Sequence, residues 1–196
     1  MPEFLFLSFE EFSKYCFDLV IKINQLYGGQ KIDYLISVQR GGAVMSKIIS
    51  DALNVPIATL VVSSYQNLQQ VKKPFVSQEL SVDIQGKHII VLDEICDSGD
   101  TLELVCNYLE QYSPASLRTA VLVLKPHSHF KPDVSVMETR KWVVFPGELR
   151  ETAEAILELG DVTAMVVDQF HEYAYKHGAT PQLLEELGFK YPPKTS

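Results

Sequence analysis

Cysteine is scarce in these 196 residues: Cys16, Cys96 and Cys106 are an odd number at spacings that fit neither a disulfide framework nor a zinc site. They read as reduced, mostly buried small hydrophobes. No apolar run approaches the ~20 residues that span a bilayer, so a membrane protein is not expected. Basic residues are in deficit, with 17 Lys and Arg against 25 Asp and Glu, giving a formal net charge of −8. A general nucleic-acid surface needs the opposite sign, so nucleic acid is not an expected partner. An anionic substrate must instead be met by local cations. The start, Met1-Pro2-Glu3-Phe4, lacks the basic region of a secretory signal, which points to the cytoplasm. Repeats and low-complexity tracts are also missing, and the length suits one α/β domain with appendages.

What is present alternates between strand and helix patterns. Ser8-Phe9-Glu10-Glu11 forms a capping box, and Phe9, Phe12, Cys16, Val20 and Ile23 continue at helical spacing until Gly28-Gly29, which predicts a packing helix over 8–27. Residues 33–38 read as a strand, Gly41-Gly42 as a turn, 43–53 as a helix and 55–62 as the next strand. The stretch 63–87 is rich in Gln, Ser and Lys with Pro74 inside it, and reads either as a functional lid or as a plain surface hairpin. A helix over 101–112, a strand over 118–124, a Pro-punctuated loop over 125–132 and an apolar segment over 141–145 follow. Three short helices are expected in the remainder, over 148–159, 161–177 and 180–187, the last started by Thr180-Pro181 and stopped by Gly188.

Chemistry concentrates in residues 88–101. Ile89-Ile90-Val91-Leu92 is a continuous apolar run, which suits a central strand of a parallel sheet covered on both faces. Asp93 and Glu94 then leave the sheet at its carboxyl edge, where open α/β sheets place ligands. Adjacent carboxylates there are costly unless something pairs with them, and vicinal ribose hydroxyls or Mg²⁺ both qualify. Asp97-Ser98-Gly99-Asp100-Thr101 is a short turn that opens a helix with Leu102, Val105, Cys106 and Leu109 on one side. Such a turn points backbone N–H groups outward and holds a phosphate dianion. Arg40-Gly41-Gly42, at the end of the earlier strand, offers a forked guanidinium and close backbone approach. Lys125 ends another strand. His127-Ser128-His129 suggests a metal pair but has no third ligand nearby in sequence, so the two read as loop histidines.

The strand, the paired acids and the Asp/Ser/Gly/Thr turn together resemble the signature of the type I phosphoribosyltransferases over about residues 33–148. The resemblance implies that fold: a central, mostly parallel sheet flanked by helices, with a small hood and C-terminal helices. It implies a single domain over 1–196, with the helix 8–27 before the core and a helical extension over 149–196. It assigns Arg40, Gly41, Asp93, Glu94, Asp97, Ser98, Gly99, Asp100 and Thr101 to phosphoribosyl pyrophosphate, with a non-proline cis peptide at Gln39-Arg40. Ser64 and Tyr65 resemble the opening of the family's lid, and Lys72 and Lys73 are left unassigned.

Asp97, Lys125 and Trp142 narrow the resemblance to the enzymes for 6-oxopurines. In that branch the Asp of the turn works on purine N7 as the catalytic acid or base, the Lys contacts O6, Trp142 stacks on the base and backbone groups at Val143 read its edge. A lone Trp is otherwise an ordinary core residue. Glu148 matches an acid that serves the metal or the purine amino group, so the implied metal set is Asp93, Glu94 and Glu148 with Mg²⁺ as cofactor. The implied reaction moves the 5-phosphoribosyl group from phosphoribosyl pyrophosphate to guanine, hypoxanthine or xanthine in purine salvage, within a homodimer or homotetramer. The competing expectations are a nucleotide-sensing regulator on the same fold, or a phosphoribosyltransferase for another nitrogenous base. Asp100, where Gly or Lys is common, and Pro146-Gly147-Glu148, without a second aromatic, are departures that bear on substrate identity.

Overall fold

In the computed structural model, residues 3–66, 69–158 and 164–189 are described, with side chains left out at 64–66, 69–73 and 164. The elements in chain order are β1 Phe4–Phe6, α1 Phe9–Tyr27, β2 Tyr34–Gln39, α2 Gly42–Leu53, β3 Ile57–Gln66, β4 Gln69–Gln78 and β5 His88–Cys96. They continue with α3 Asp100–Glu110, β6 Ser116–Leu124, β7 Val134–Glu138, β8 Trp142–Val144, α4 Leu149–Glu158, α5 Ala164–Lys176 and α6 Pro181–Glu186. The chain divides into two compact units, Ser13–Arg140 and the pair of segments Met1–Phe12 with Lys141–Ser196.

The first unit carries a six-stranded sheet in the order β4-β3-β2-β5-β6-β7. Every neighbour pair is parallel except β3 with β4, so the sheet is the mostly parallel α/β sheet expected. From β2 the chain winds through α2 to β3 on one side, while β5 lies on the other, so the strand order reverses between β2 and β5. Ligands of open α/β sheets bind at the carboxyl end of such a reversal. The β-branched run of β5 is fully buried through Leu92, and Ile36, Val38, Leu60, Val91, Leu102, Val105, Leu109 and Val121 form one core with it.

Three expectations need adjustment. Asp93 and Glu94 do not leave the sheet: β5 stays paired with β6 up to Cys96↔Leu124, whereas its pairing with β2 stops at Ser37↔Leu92. The apolar run ends before the strand does. The buried seam of α1 is Phe12, Cys16, Leu19 and Ile23, with Phe9 exposed, because a spacing of four, three and four tracks one helical face better than the set begun at Phe9. Finally, 63–87 is no plain loop: it holds an antiparallel hairpin of β3 and β4, a form that suits a lid and a surface hairpin alike, with Val62↔Val76 and Ser63↔Phe75 in register. The side chains of Ser64, Tyr65, Lys72 and Lys73 lie outside the described residues.

In the second unit, β1 and β8 pair in parallel, with Phe4↔Trp142 and Phe6↔Val144 in register. Ser8 and Glu11 form the expected capping box: the Ser8 N–H donates to Glu11 Oε2 at 2.8 Å and the Glu11 N–H to Ser8 Oγ at 3.2 Å. The three expected C-terminal helices are present as α4, α5 and α6. Ala153, Ile156, Val166, Phe170, Ala174, Leu184, Leu187 and Phe189 give them a core of their own, and Thr180 caps α6 with Pro181 at its first turn.

Candidate active site

At the carboxyl end of β2 the chain turns through Arg40 and Gly41 into α2. The Gln39-Arg40 peptide bond is cis, as the resemblance implies. The turn is closed by the Ala43 N–H donating to the Arg40 carbonyl at 3.0 Å. Both glycines are dictated by space. A Cβ on Gly42 would lie 2.5 Å from the Leu92 carbonyl oxygen, so α2 starts hard against β5. A Cβ on Gly41 would lie 2.6 Å from Glu94 Oε1 and 2.9 Å from Asp93 Oδ1. The acids of β5 therefore converge on the Arg40-Gly41 turn.

Asp93 is 8% exposed, and its Oδ1 accepts the Glu94 N–H at 2.9 Å. Burial pushes its carboxyl up to about 7, against the smaller opposing effect of that hydrogen bond. A buried carboxylate beside a second one is costly to ionise unless a cation or hydroxyl groups meet it. Two hard oxygen donors converging on one point suit Mg²⁺, so the residues fit the implied metal.

Beyond Cys96 the chain forms the turn 97–99 and enters α3. Gly99 caps the helix at φ +105, its carbonyl accepts the Glu103 N–H at 3.0 Å, and Ser98 Oγ donates to Asp100 Oδ2 at 2.8 Å. Asp100 thus faces Ser98. That contact gives the unusual acid in this turn a partner along the chain.

The loop after β6 holds this turn in place. The Lys125 N–H donates to the Cys96 carbonyl at 2.9 Å, the His129 N–H to the Ser98 carbonyl at 3.0 Å and Ser128 Oγ to the same carbonyl at 3.1 Å. Ser128 is buried, and sequence reading gave it no role. The signal was its place between two histidines, which drew attention to the rings instead. Those rings separate: His127 Nε2 lies 2.8 Å from Asp97 Oδ1, and His129 Nε2 lies 3.5 Å from Glu103 Oε2 and 3.9 Å from Asp100 Oδ1. Cys96 sits 3.1 Å from Ser128 Oγ, and burial raises its thiol, which disfavours the thiolate.

Gly99 is the residue on which this packing depends. A Cβ there would meet Phe130 Cβ at 2.6 Å, the Phe130 nitrogen at 2.8 Å and Ser128 Oγ at 2.9 Å, at a φ that L residues rarely adopt. Gly99→Ala is expected to cost about 3 kcal/mol or more, adding left-handed strain to a backbone clash. Urea unfolding measures it, and a loss below about 0.5 kcal/mol would show that the two loops give way easily.

Lys125 is 7% exposed at the end of β6. Burial pulls its ammonium below the ordinary lysine range, and the charge of Asp97 opposes that pull. The acids, the phosphate-type turn, Arg40-Gly41 and Lys125 all stand at carboxyl ends of strands in one sheet.

Trp142, Val143 and Glu148 belong to the second unit. The Trp142 indole is exposed with its ring 6.2 Å from that of Phe4, and the Trp142 backbone N–H donates to the Glu3 carbonyl at 2.7 Å. Val143 is buried opposite Leu5, and Glu148 Oε2 accepts the Phe145 N–H at 3.1 Å.

The family described as phosphoribosyl transferase domain matches residues 8–153 of the chain. A hypoxanthine phosphoribosyltransferase of Haemophilus influenzae is 32% identical over 133 residues, 65% of this chain and 72% of that protein. A xanthine-guanine phosphoribosyltransferase of Idiomarina loihiensis is 27% identical, over 59% of this chain and 70% of its own. Among solved structures, the purine phosphoribosyltransferase of Pyrococcus horikoshii superimposes with a TM-score of 0.66 at 27% identity, covering 74% of this chain and 93% of that one.

Proposed function

The chain belongs to the phosphoribosyl transferase domain family, and we propose that it transfers the 5-phosphoribosyl group of phosphoribosyl pyrophosphate to a 6-oxopurine, giving a nucleoside monophosphate and pyrophosphate in purine salvage. The observation that carries this reading is the convergence of Asp93 and Glu94 on Gly41 at the point where the strand order reverses. The 6-oxopurine relatives named above support the choice of base.

Each residue then has a task. Asp93 and Glu94 hold the ribose hydroxyls, and the backbone of 97–101 anchors the 5-phosphate at the start of α3. Arg40 meets the pyrophosphate with its fork. Lys125 donates to O6 of the base, with its buried stem fixing the ammonium. Asp97 is the catalytic residue and manages the N7 proton. When bound by Asp93 and Glu94, with Glu148 as the third implied ligand, Mg²⁺ supplies charge neutralisation for the leaving pyrophosphate. Most of the rate enhancement is therefore positional and electrostatic. The stacking role of Trp142, the base-edge role of Val143, the lid role of Ser64 and Tyr65, one domain over 1–196, a homodimer or homotetramer and a cytoplasmic site rest on the resemblance. Among the described residues no helix is long and apolar enough to cross a membrane.

Pyrophosphate release with phosphoribosyl pyrophosphate, Mg²⁺ and each of guanine, hypoxanthine, xanthine and adenine tests the proposal. Release is expected with at least one 6-oxopurine and not with adenine. Silence with all three 6-oxopurines overturns it, and nucleotide binding under the same silence points to sensing.

A further inference from the structure

Asp97 and His127 are both about two-thirds exposed, at 66% and 65%, yet Nε2 and Oδ1 stand 2.8 Å apart. That contact is built into the backbone. The loop bearing His127 is fixed to the turn bearing Asp97 on both sides of the pair: by the Lys125 N–H on the Cys96 carbonyl before it, and by Ser128 Oγ and the His129 N–H on the Ser98 carbonyl after it. Gly99 packed against Phe130 closes the same seam.

We propose that His127 is the positioning and proton-accepting partner of Asp97, so that the base of this site is a carboxylate–imidazole pair. The inference rests on the transfer reading given above. In that reaction the N7–H tautomer of the purine attacks through N9. The N9–C1 bond forms as the C1–O bond to pyrophosphate breaks, and the electron pair of that bond leaves with pyrophosphate. The purine is then cationic and loses its N7 proton to Asp97. A carboxylic acid is a poor resting place for a proton near neutrality, and an imidazole is ordinarily much the stronger base, about 6.5 against about 3.9. With its one proton on Nδ1, a neutral His127 accepts the proton of Asp97 at the free Nε2 and becomes an imidazolium, which restores the carboxylate; the exposed ring then gives a proton to solvent and regains that tautomer through water.

The charged groups on the elements that carry the pair are Lys125, which feels the charge of Asp97, Lys131, whose charge opposes those of Asp93 and Asp97 at Cys96, and Asp100 and Glu103 of α3, which face His129. The pH dependence should follow the pair, because His127 must be neutral to accept. In the unaltered chain kcat/KM for the base is expected to rise with pH as the ring becomes neutral.

Two readouts test this. In steady-state kinetics, His127→Gln keeps an N–H donor but, as a neutral amide, does not accept the proton. It is expected to lower kcat about tenfold at neutral pH with KM for phosphoribosyl pyrophosphate within about twofold, and to lose the rising limb. Added imidazole should restore part of the rate of His127→Ala. An unchanged rate and limb in His127→Gln, or a change in KM alone, overturns the proposal. By NMR, which needs no turnover, the His127 ring nitrogen signals of Asp97→Asn should differ from those of the unaltered chain, because the carboxylate that the ring contacts is gone. Ring signals that do not move also overturn it. Silence of the unaltered chain with every base would count against the transfer reading, while the NMR comparison would still decide the pair.

Discussion

Asp97→Asn is expected to lower turnover by about 10²–10⁴-fold while nucleotide binding is retained, the range lost when a positioned general acid or base is removed. The separation of binding from chemistry follows from the hydrogen bonds of the turn. Its internal contacts are Ser98 Oγ to Asp100, the Glu103 N–H to Gly99 and the two donors to the Ser98 carbonyl, and none uses the Asp97 carboxylate. The phosphate anchor therefore survives the substitution, and Asn keeps a side chain of the same size. Nucleotide binding by calorimetry together with single-turnover kinetics measures both halves. Turnover equal to that of the unaltered chain would remove Asp97 from the chemistry, and lost binding would make it part of the anchor instead.

Asp93→Asn should produce two large effects of opposite sign. Turnover is expected to fall by about 10²-fold or more, since a charge aimed at the reacting region is removed. Stability of the ligand-free chain in a chelator is expected to rise at pH 8. The sign follows from the carboxyl, which burial holds at about 7 when folded against 3.8 ordinarily. Between those values the folded chain binds more protons than the unfolded one, so stability declines as pH climbs from about 4 to about 7 and is level above. Three pH units set a ceiling of about 4 kcal/mol. Asn removes the ionisation and with it the slope. Urea unfolding at pH 5 and pH 8 reads this directly, and equal slopes in both proteins would show that Asp93 is solvated after all.

Much of this site was legible because its residue types are costly elsewhere. Two adjacent acids behind Ile89-Ile90-Val91-Leu92 and a Gly turn ahead of an apolar-periodic helix have few uses other than holding a ligand. Arg40-Gly41-Gly42 was legible for the same reason. The signal failed where structure depends on partners distant in the chain. Phe4–Phe6 is too short to show a period and becomes a strand only by pairing with Trp142–Val144. Val134–Glu138 is half-buried at a sheet edge, so its alternation is faint. Ser128 gave no sign because a buried hydroxyl is identified by the carbonyls around it, and these come from residues 98 and 130.

The early end of the pairing between β2 and β5 has one more consequence. Neighbouring residues of a strand point to opposite faces of its sheet, yet Asp93 and Glu94 both reach the same glycine. They do so beyond the last β2–β5 pair, Ser37↔Leu92, where β2 runs on only to Gln39 before the Arg40-Gly41 turn. The two carboxylates meet at that glycine as unequal jaws, one short and buried, the other longer and half-exposed. The jaws are not interchangeable: exchanging Asp and Glu is expected to keep the charge and lose the grip.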